Sequence, residues 1–324
     1  MQKTNRLALA VLALLGSTAA FAQSSVTLYG RVNTTVERQE VGNVKTTGLF
    51  NNSSRFGFKG TEDLGGGLKA GFQLESGFSS DTGASDSRGF FARQSEVNLS
   101  GGFGTVRLGN FTPESYYATA DYISMHNHDT GNSSDAFYAY VMPSANKIAY
   151  RTPSFGGLTV DAAVALHEQA TGGKNAFDLA VNYNLGALAL GAGYSKQGDV
   201  NQFAGRALYT FGAFTVGGYI QRDEDAFRAN GGKRNTFRLA GAYNLGASEF
   251  HWNVGRAGEY KNFNDSDATQ YTLGYNYNLS KRTKVYGYYT RINNSRAGTY
   301  GLNQAVVGAG VDSNTLAVGI RHNF

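Results

Sequence analysis

Apolar and polar residues alternate with a period of two through most of the chain. In FDLAVNYNL (177–185), Phe177, Leu179, Val181, Tyr183 and Leu185 share one face, and Asp178, Ala180, Asn182 and Asn184 share the other, as a half-buried β-strand requires. TLYGRVNTTVE divides the same way, with Leu28, Gly30, Val32 and Thr34 opposite Tyr29, Arg31, Asn33 and Thr35. Near the end of the chain Leu316, Val318, Ile320 and Phe324 oppose Thr315, Ala317, Gly319, Arg321 and Asn323. Tyr-Asn-Leu followed by Gly or Ser closes three such stretches, at 183, 243 and 277. Aromatic rings settle between hydrocarbon and headgroups, so Tyr183, Tyr243 and Tyr277 read as girdle residues beside short turns.

Alternation alone also suits a soluble β-sandwich; the connections separate the two. Seven are tight, near 61–69, 100, 153, 184, 211, 244 and 278. Eight are longer and polar, at 38–53, 79–90, 110–145, 167–175, 197–202, 223–235, 258–269 and 292–313. The two kinds alternate along the chain, which a sandwich gives no reason for. Together they predict an all-β fold, a transmembrane antiparallel barrel of about 16 strands with both chain ends on the periplasmic side. The 302 residues from 23 to 324 allow about nineteen per strand and connection, where a tilted spanning strand takes about 9–11. Closure removes the sheet edges that would expose unpaired backbone to lipid.

Composition supports a barrel wet inside and apolar outside: 43 Gly, 20 Tyr, 21 Phe and only three Pro combine with a negative mean hydropathy. Lys3 and Arg6 precede an apolar run from Leu7 to Leu15, and Ala20-Phe21-Ala22 supplies small residues for cleavage. Residues 1–22 are therefore expected to be a cleaved secretory signal and 23–324 the barrel domain. The apolar run is too short for a spanning helix, which takes about 20 residues. Without Lys3 and Arg6, 27 basic residues face 24 acidic ones, a small excess that gives nucleic acid little hold. With no cysteine, no disulfide framework exists.

Catalytic and cofactor signals are weak. There is no G-x-S-x-G elbow, and of five histidines only His251 sits mid-strand on a polar side, as a lumen-lining residue. His126-Asn127-His128-Asp129 reads as a plain loop rather than a metal site, and Gly65-Gly66-Gly67 as a turn rather than a phosphate cradle. No cofactor and no enzymatic activity are expected.

The stretch SSRFGFKGTEDLGGGLKAGFQLE (53–75), the opening SVTLYGRVN, the segment SGGFGTVRLG and the terminal Phe324 resemble the trimeric general porins of Gram-negative outer membranes, in particular the betaproteobacterial branch. The resemblance runs from Gln23 to Phe324. It implies sixteen strands, a third loop folded into the lumen as a constriction, assembly as homotrimers, and diffusion of ions and small hydrophilic solutes through an outer-membrane channel. Residues 110–145 are the longest connection. Six Tyr or Phe between Tyr116 and Tyr140 disfavour disorder, so a loop packed on the inner wall is expected.

The family sets loop acids against a basic cluster on the facing wall. Arg31, Arg55 and Arg93 match the motif positions of that cluster, and Arg31 and Arg55 also fall on polar strand faces. Around Arg93 the alternation is ambiguous, since Gln94, Glu96 and Asn98 form a polar face as well. The loop offers Glu114, Asp121, Asp129 and Asp135, with Glu114 and Asp121 as the constriction candidates. The chain departs from the enterobacterial pattern of a Pro-Glu-Phe deep in the loop, because its only Pro-Glu is Pro113-Glu114 near the start.

By parity the polar faces carry Arg31, Arg55, Lys59, Lys69, Arg107, Lys147, Arg151, Arg206, Arg238, Lys284 and Arg321 against Glu37, Glu75, Asp161 and Asp178, an excess that favours anions while the loop acids work the other way. Phe324, with Leu316, Val318 and Ile320 at alternate positions before it, resembles the insertion signal read by the barrel-assembly machinery; His322 interrupts that face. A substrate-specific channel is the alternative, kept open by Tyr286 and Tyr288 on the inward side of the fifteenth strand, with a barrel enzyme behind it.

Overall fold

The two-residue period becomes seventeen strand segments in the computed structural model, which describes residues 25–121, 123, 131–168 and 172–324. The expected signal, 1–22, lies outside the described residues. The first strands are β1 (Ser25–Val41), β2 (Val44–Asn51), β3 (Arg55–Gly65), β4 (Leu68–Gly77), β5 (Gln94–Gly101), β6 (Gly104–Asn110), β7 (Lys147–Arg151), β8 (Leu158–Ala165) and β9 (Ala176–Leu185). They continue as β10 (Leu188–Gln197), β11 (Val200–Phe211), β12 (Phe214–Glu224), β13 (Lys233–Leu245), β14 (Ser248–Ala257), β15 (Ala268–Asn278), β16 (Thr283–Asn294) and β17 (Ser313–Asn323). A short helix, α1 (Glu114–Thr119), interrupts the third loop.

All neighbours pair antiparallel, and β1 pairs β17 from Arg31↔Asn323 to Val41↔Ser313, closing the sheet. Segments β2 and β3 form one stave with a break, since β1 pairs β2 over residues 34–41 and β3 over 25–31. Seventeen segments thus make a closed barrel of sixteen staves. The break is held by side chains: Asn33 donates its amide N–H to Ser54 Oγ at 2.9 Å and its Nδ2 to the Asn52 carbonyl at 2.9 Å.

The parity of connections survives, but three long loops shrink. Segment 38–53 is mostly strand, turning at Gly42 (φ 56°) between β1 and β2. Segment 197–202 turns tightly at Gly198 (φ 62°), and 223–235 leaves only 225–232 outside β12 and β13. The sheet continues above the apolar zone, where both faces meet water and polarity no longer marks the end of a strand.

Outward positions are exposed and apolar, Leu239 at 59% and Leu273 at 62% among them, whereas Asn33, Thr35 and Glu37 on the inner face of β1 are buried. At the short-turn end Tyr209, Phe211, Phe214, Tyr243, Phe250 and Tyr275 run ring against ring, with successive centroids 4.5–6.3 Å apart. This row lies where an aromatic girdle meets the interface.

The third loop folds into the lumen. Helix α1 lies on β9 and β10, where a side chain at Gly191 would run into the Ala118 carbonyl and one at Gly193 would meet Ser115 Cβ at 2.7 Å. Glycine there lets the helix touch the sheet. The Ser115 amide donates to Asp178 Oδ2 at 3.0 Å. The return leg is tied like an added strand: Gln270 bonds the Ser134 carbonyl and Ala136 amide, and Gln221 bonds both the amide and carbonyl of Ala139. Behind it Phe137 packs with Tyr260, Ile292, Tyr300 and Leu302, so much of the core lies between loop and wall.

Candidate pore constriction

Strand register sets the basic wall. Arg31 on β1 lies directly opposite Arg55 on β3, a pairing of like charges that costs stability between facing side chains. Glu75 on β4 offsets part of the cost: its Oε1 lies 3.7 Å from Arg55 Nε and 2.6 Å from Arg93 Nε, while Tyr29 Oη donates to its Oε2 at 3.0 Å. Arg93 is the last residue of the second loop, immediately before β5, so loop geometry rather than strand parity brings it there. Arg31 Nε also donates to Asn323 Oδ1 at 3.2 Å. The row continues sideways, because Asn33 faces Arg321 on β17 and Arg321 faces Lys284 on β16. Arg55, Arg31, Arg321 and Lys284 thus line four successive staves.

Two of the described loop acids, Glu114 and Asp135, are bonded to arginines elsewhere on the wall. Glu114, buried at the start of α1, bonds Arg107 and accepts from Arg151 Nη2 at 2.7 Å. Burial pushes its carboxyl above the ordinary glutamate value, and the guanidinium groups of Arg107 and Arg151 pull it back. Asp135 receives two bonds from Arg238, at 2.9 and 2.7 Å, and the Tyr219 hydroxyl. Asp121 is buried just beyond α1, its amide donating to the Tyr116 carbonyl at 3.2 Å. Asp129, His126 and His128 lie outside the described residues. On the short-turn side of α1 a cavity of about 790 Å³ is lined by Glu96, Arg107, Glu114, Arg151, Asn182 and Arg206.

Several lumen groups escaped the sequence reading. Asp223 and Arg234 form a fully buried pair at 2.8 Å, hidden because 223–235 reads as loop; extending the β12 and β13 alternation would have found them. Glu249, also missed, lies 3.7 Å from Lys284 Nζ and 3.4 Å from His251 Nε2, whereas Glu96, already read on a polar face, accepts from Arg107 at 2.6 Å. Tyr286 and Tyr288 face inward as expected but are spent on the wall, donating to Asn33 Oδ1 at 2.7 Å and Glu37 Oε1 at 3.0 Å. Lys147 is buried with its Nζ 4.1 Å from the Phe111 ring. Phe324 completes the seam: its amide donates to the Gly30 carbonyl and Gly30 donates back, each at 3.0 Å. His322 is exposed beside it, 2.8 Å from Thr283 Oγ1.

The pattern that defines the Gram-negative porin family matches residues 8–298. Outer membrane porin protein 32 of Delftia acidovorans is 36% identical across 99% of this chain and 100% of its own length. An outer membrane porin protein of Bordetella pertussis is 28% identical across 94% of this chain and 96% of its own length. Among solved structures, an anion-selective porin from Comamonas acidovorans superposes with a TM-score of 0.79 at 33% identity, covering 93% of this chain and 100% of that one. OmpT of Vibrio cholerae, at 17% identity and a TM-score of 0.69, shares the fold.

Proposed function

Because the chain belongs to the Gram-negative porin family, we propose that it forms an anion-preferring pore assembled as a homotrimer. It is an outer-membrane general diffusion porin, a channel for small hydrophilic solutes and ions. One observation carries the anion preference: cations line four adjacent staves, while Glu114 and Asp135 on the loop are already bonded to wall arginines. Fixed charge of one sign in a narrow polar passage raises the local concentration of the opposite ion. The relative of known anion selectivity supports the same sign.

The relatives described are channels, and the reading includes no catalytic role. It also includes cleavage after Ala22 and recognition of Phe324 by the barrel-assembly machinery. A sugar-type aromatic ladder has little support, since Tyr286 and Tyr288 are bonded to β1. The test is the reversal potential of purified protein in a planar bilayer under a salt gradient. Conductance steps in threes with a potential of anion sign are expected; cation sign would overturn the charge reading, and single steps would overturn the trimer.

A further inference from the structure

A second polar cavity, separate from the one below α1, adjoins the basic wall on its long-connection side. It has a volume of about 350 Å³ and lies where four segments meet: the break in the stave at 51–54, the second loop, the third loop at Gly131 and the last long connection at Asn303. The second loop folds back to reach it. The Ser79 amide donates to the Ala84 carbonyl at 2.8 Å, Gly83 donates to the Ser79 carbonyl at 2.7 Å, and the Asp86 amide donates to the Gly77 carbonyl at 3.1 Å. This short hairpin lays Asp86 over Gly77, where a side chain would meet Asp86 Oδ2 at 2.7 Å.

Two features of the lining set its chemistry. Ser53, Ser79, Ser87 and Asn303 line the cavity, and their side chains have no hydrogen-bond partner among the described residues. Hydroxyls and amides both donate and accept, so these groups offer a mixture of donors and acceptors. The cations of the lining, in contrast, are already neutralised. Arg88 bonds Asp86 through Nε at 3.0 Å and Nη2 at 2.6 Å, and Arg93 Nε bonds Glu75 at 2.6 Å. Arg31 and Arg55, which leave the adjoining wall cationic, are not part of this lining. A free anion must displace a carboxylate to be bound here, whereas a neutral solute rich in hydroxyls meets matching groups and carries no charge to desolvate. Ser53 (φ 59°) and Asn303 (φ 53°) also hold left-handed backbone, a strain that collects at ligand clamps. The volume falls at the small end of ligand pockets, which run from about 300 to 1,000 Å³.

We propose that this cavity is a subsite for neutral, hydroxyl-rich solutes of monosaccharide size, held by Ser53, Ser79, Ser87, Asn303 and the Asp86–Arg88 pair. The inference deepens the channel reading by naming a class of solute; it rests on that reading for access to the cavity, but not on the sign of ion selectivity.

The test uses the folded full chain in a neutral, sugar-free detergent, with binding of D-glucose read by saturation-transfer NMR, which needs no conducting pore. Glucose should receive saturation from the protein, and inorganic sulfate at the same concentration should not displace it. A net hydrogen bond is worth roughly fivefold in affinity, so Ser79→Val with Ser87→Val should weaken binding by about 25-fold. The reversal potential of the double variant should be unchanged, since neither substitution alters charge. No transfer to glucose, or transfer from the double variant equal to that from the unaltered protein, would overturn the proposal. Displacement by sulfate would assign the cavity to oxyanions and overturn it too. Should the double variant fail to fold, the glucose and sulfate titrations of the unaltered protein still decide. Glucose binding by a protein that shows no conductance would sink the channel reading and leave the subsite standing.

Discussion

Replacing Arg31 and Arg55 by glutamine tests the charge reading where the geometry is most explicit. The two side chains sit on directly opposed residues, so an ion passing this part of the wall comes within about 5 Å of both. In water a unit charge at that distance acts with about 0.8 kcal/mol, and screening at 0.1 M salt, with a Debye length near 10 Å, leaves about 0.5 kcal/mol. That is a little over twofold in occupancy, upward for anions and downward for cations, so each arginine changes the anion-to-cation permeability ratio by roughly fivefold. The double variant should therefore lower the ratio by about 25-fold at 0.1 M and much less at 1 M. Because Glu75 remains beside Arg93, the residual preference should be near neutral or of cation sign. The assay is reversal potential under matched gradients at both salt concentrations, with single-channel conductance as the control for an open pore. A ratio unchanged by the double substitution, or a change independent of salt, would refute the assignment of selectivity to this wall.

Four further outcomes follow from contacts elsewhere in the lumen. Burial raises the Glu114 carboxyl, so as pH falls it should take up a proton above the ordinary glutamate range and leave Arg107 and Arg151 less compensated. Anion preference should then rise between pH 7 and pH 4, by less in Glu114→Gln, as read by reversal potential. Arg238→Leu takes both guanidinium bonds from the half-buried Asp135 and should cost roughly 3 kcal/mol, the lower end for breaking a buried pair, seen as a lower denaturation midpoint and noisier single-channel current. Gly193→Val should push α1 off β10 through Ser115 and change conductance while the barrel still folds, checked by circular dichroism. Phe324→Ala removes the ring lying over Gly30 and should slow membrane insertion in a reconstituted assembly reaction more than it lowers the stability of the folded barrel.

The barrel was legible because lipid and water impose opposite demands on alternate residues, which is why Leu28 and Val32 separate so cleanly from Arg31 and Asn33. Strand ends were less legible. Above the lipid, β1 and β2 stay paired to Val41↔Val44 although both faces are polar, so composition placed a loop where the sheet continues. The same misreading hid Asp223 and Arg234. Arg31 and Arg55 were readable from parity, whereas the position of Arg93 depends on how the second loop closes over Glu75. Nor could spacing reveal that Asp135, 103 residues from Arg238 in sequence, is held by it; only the path of the folded loop brings the two together.

That path also changes how lumen charge is counted. A tally of polar-face residues treats every acid and base as equally available to a passing ion, yet a carboxylate paired one to one with a guanidinium group presents little net field a few ångströms away. Asp223 with Arg234 and Asp135 with Arg238 are such pairs, while Arg107 and Arg151 are shared by Glu114, Glu96 and Asp161, and the contacts of Glu114 and Asp135 fix the loop against the wall. On the facing wall Glu75 lies against both Arg55 and Arg93 with Arg31 alongside, three cations to one acid among the described residues of this cluster. On the proposed reading, selectivity follows the stoichiometry of that cluster rather than the whole-chain excess. Glu75→Gln should therefore shift the reversal potential further toward anions than Glu114→Gln at neutral pH, although each removes one carboxylate; equal shifts, or a larger one from Glu114→Gln, would return the explanation to simple charge counting.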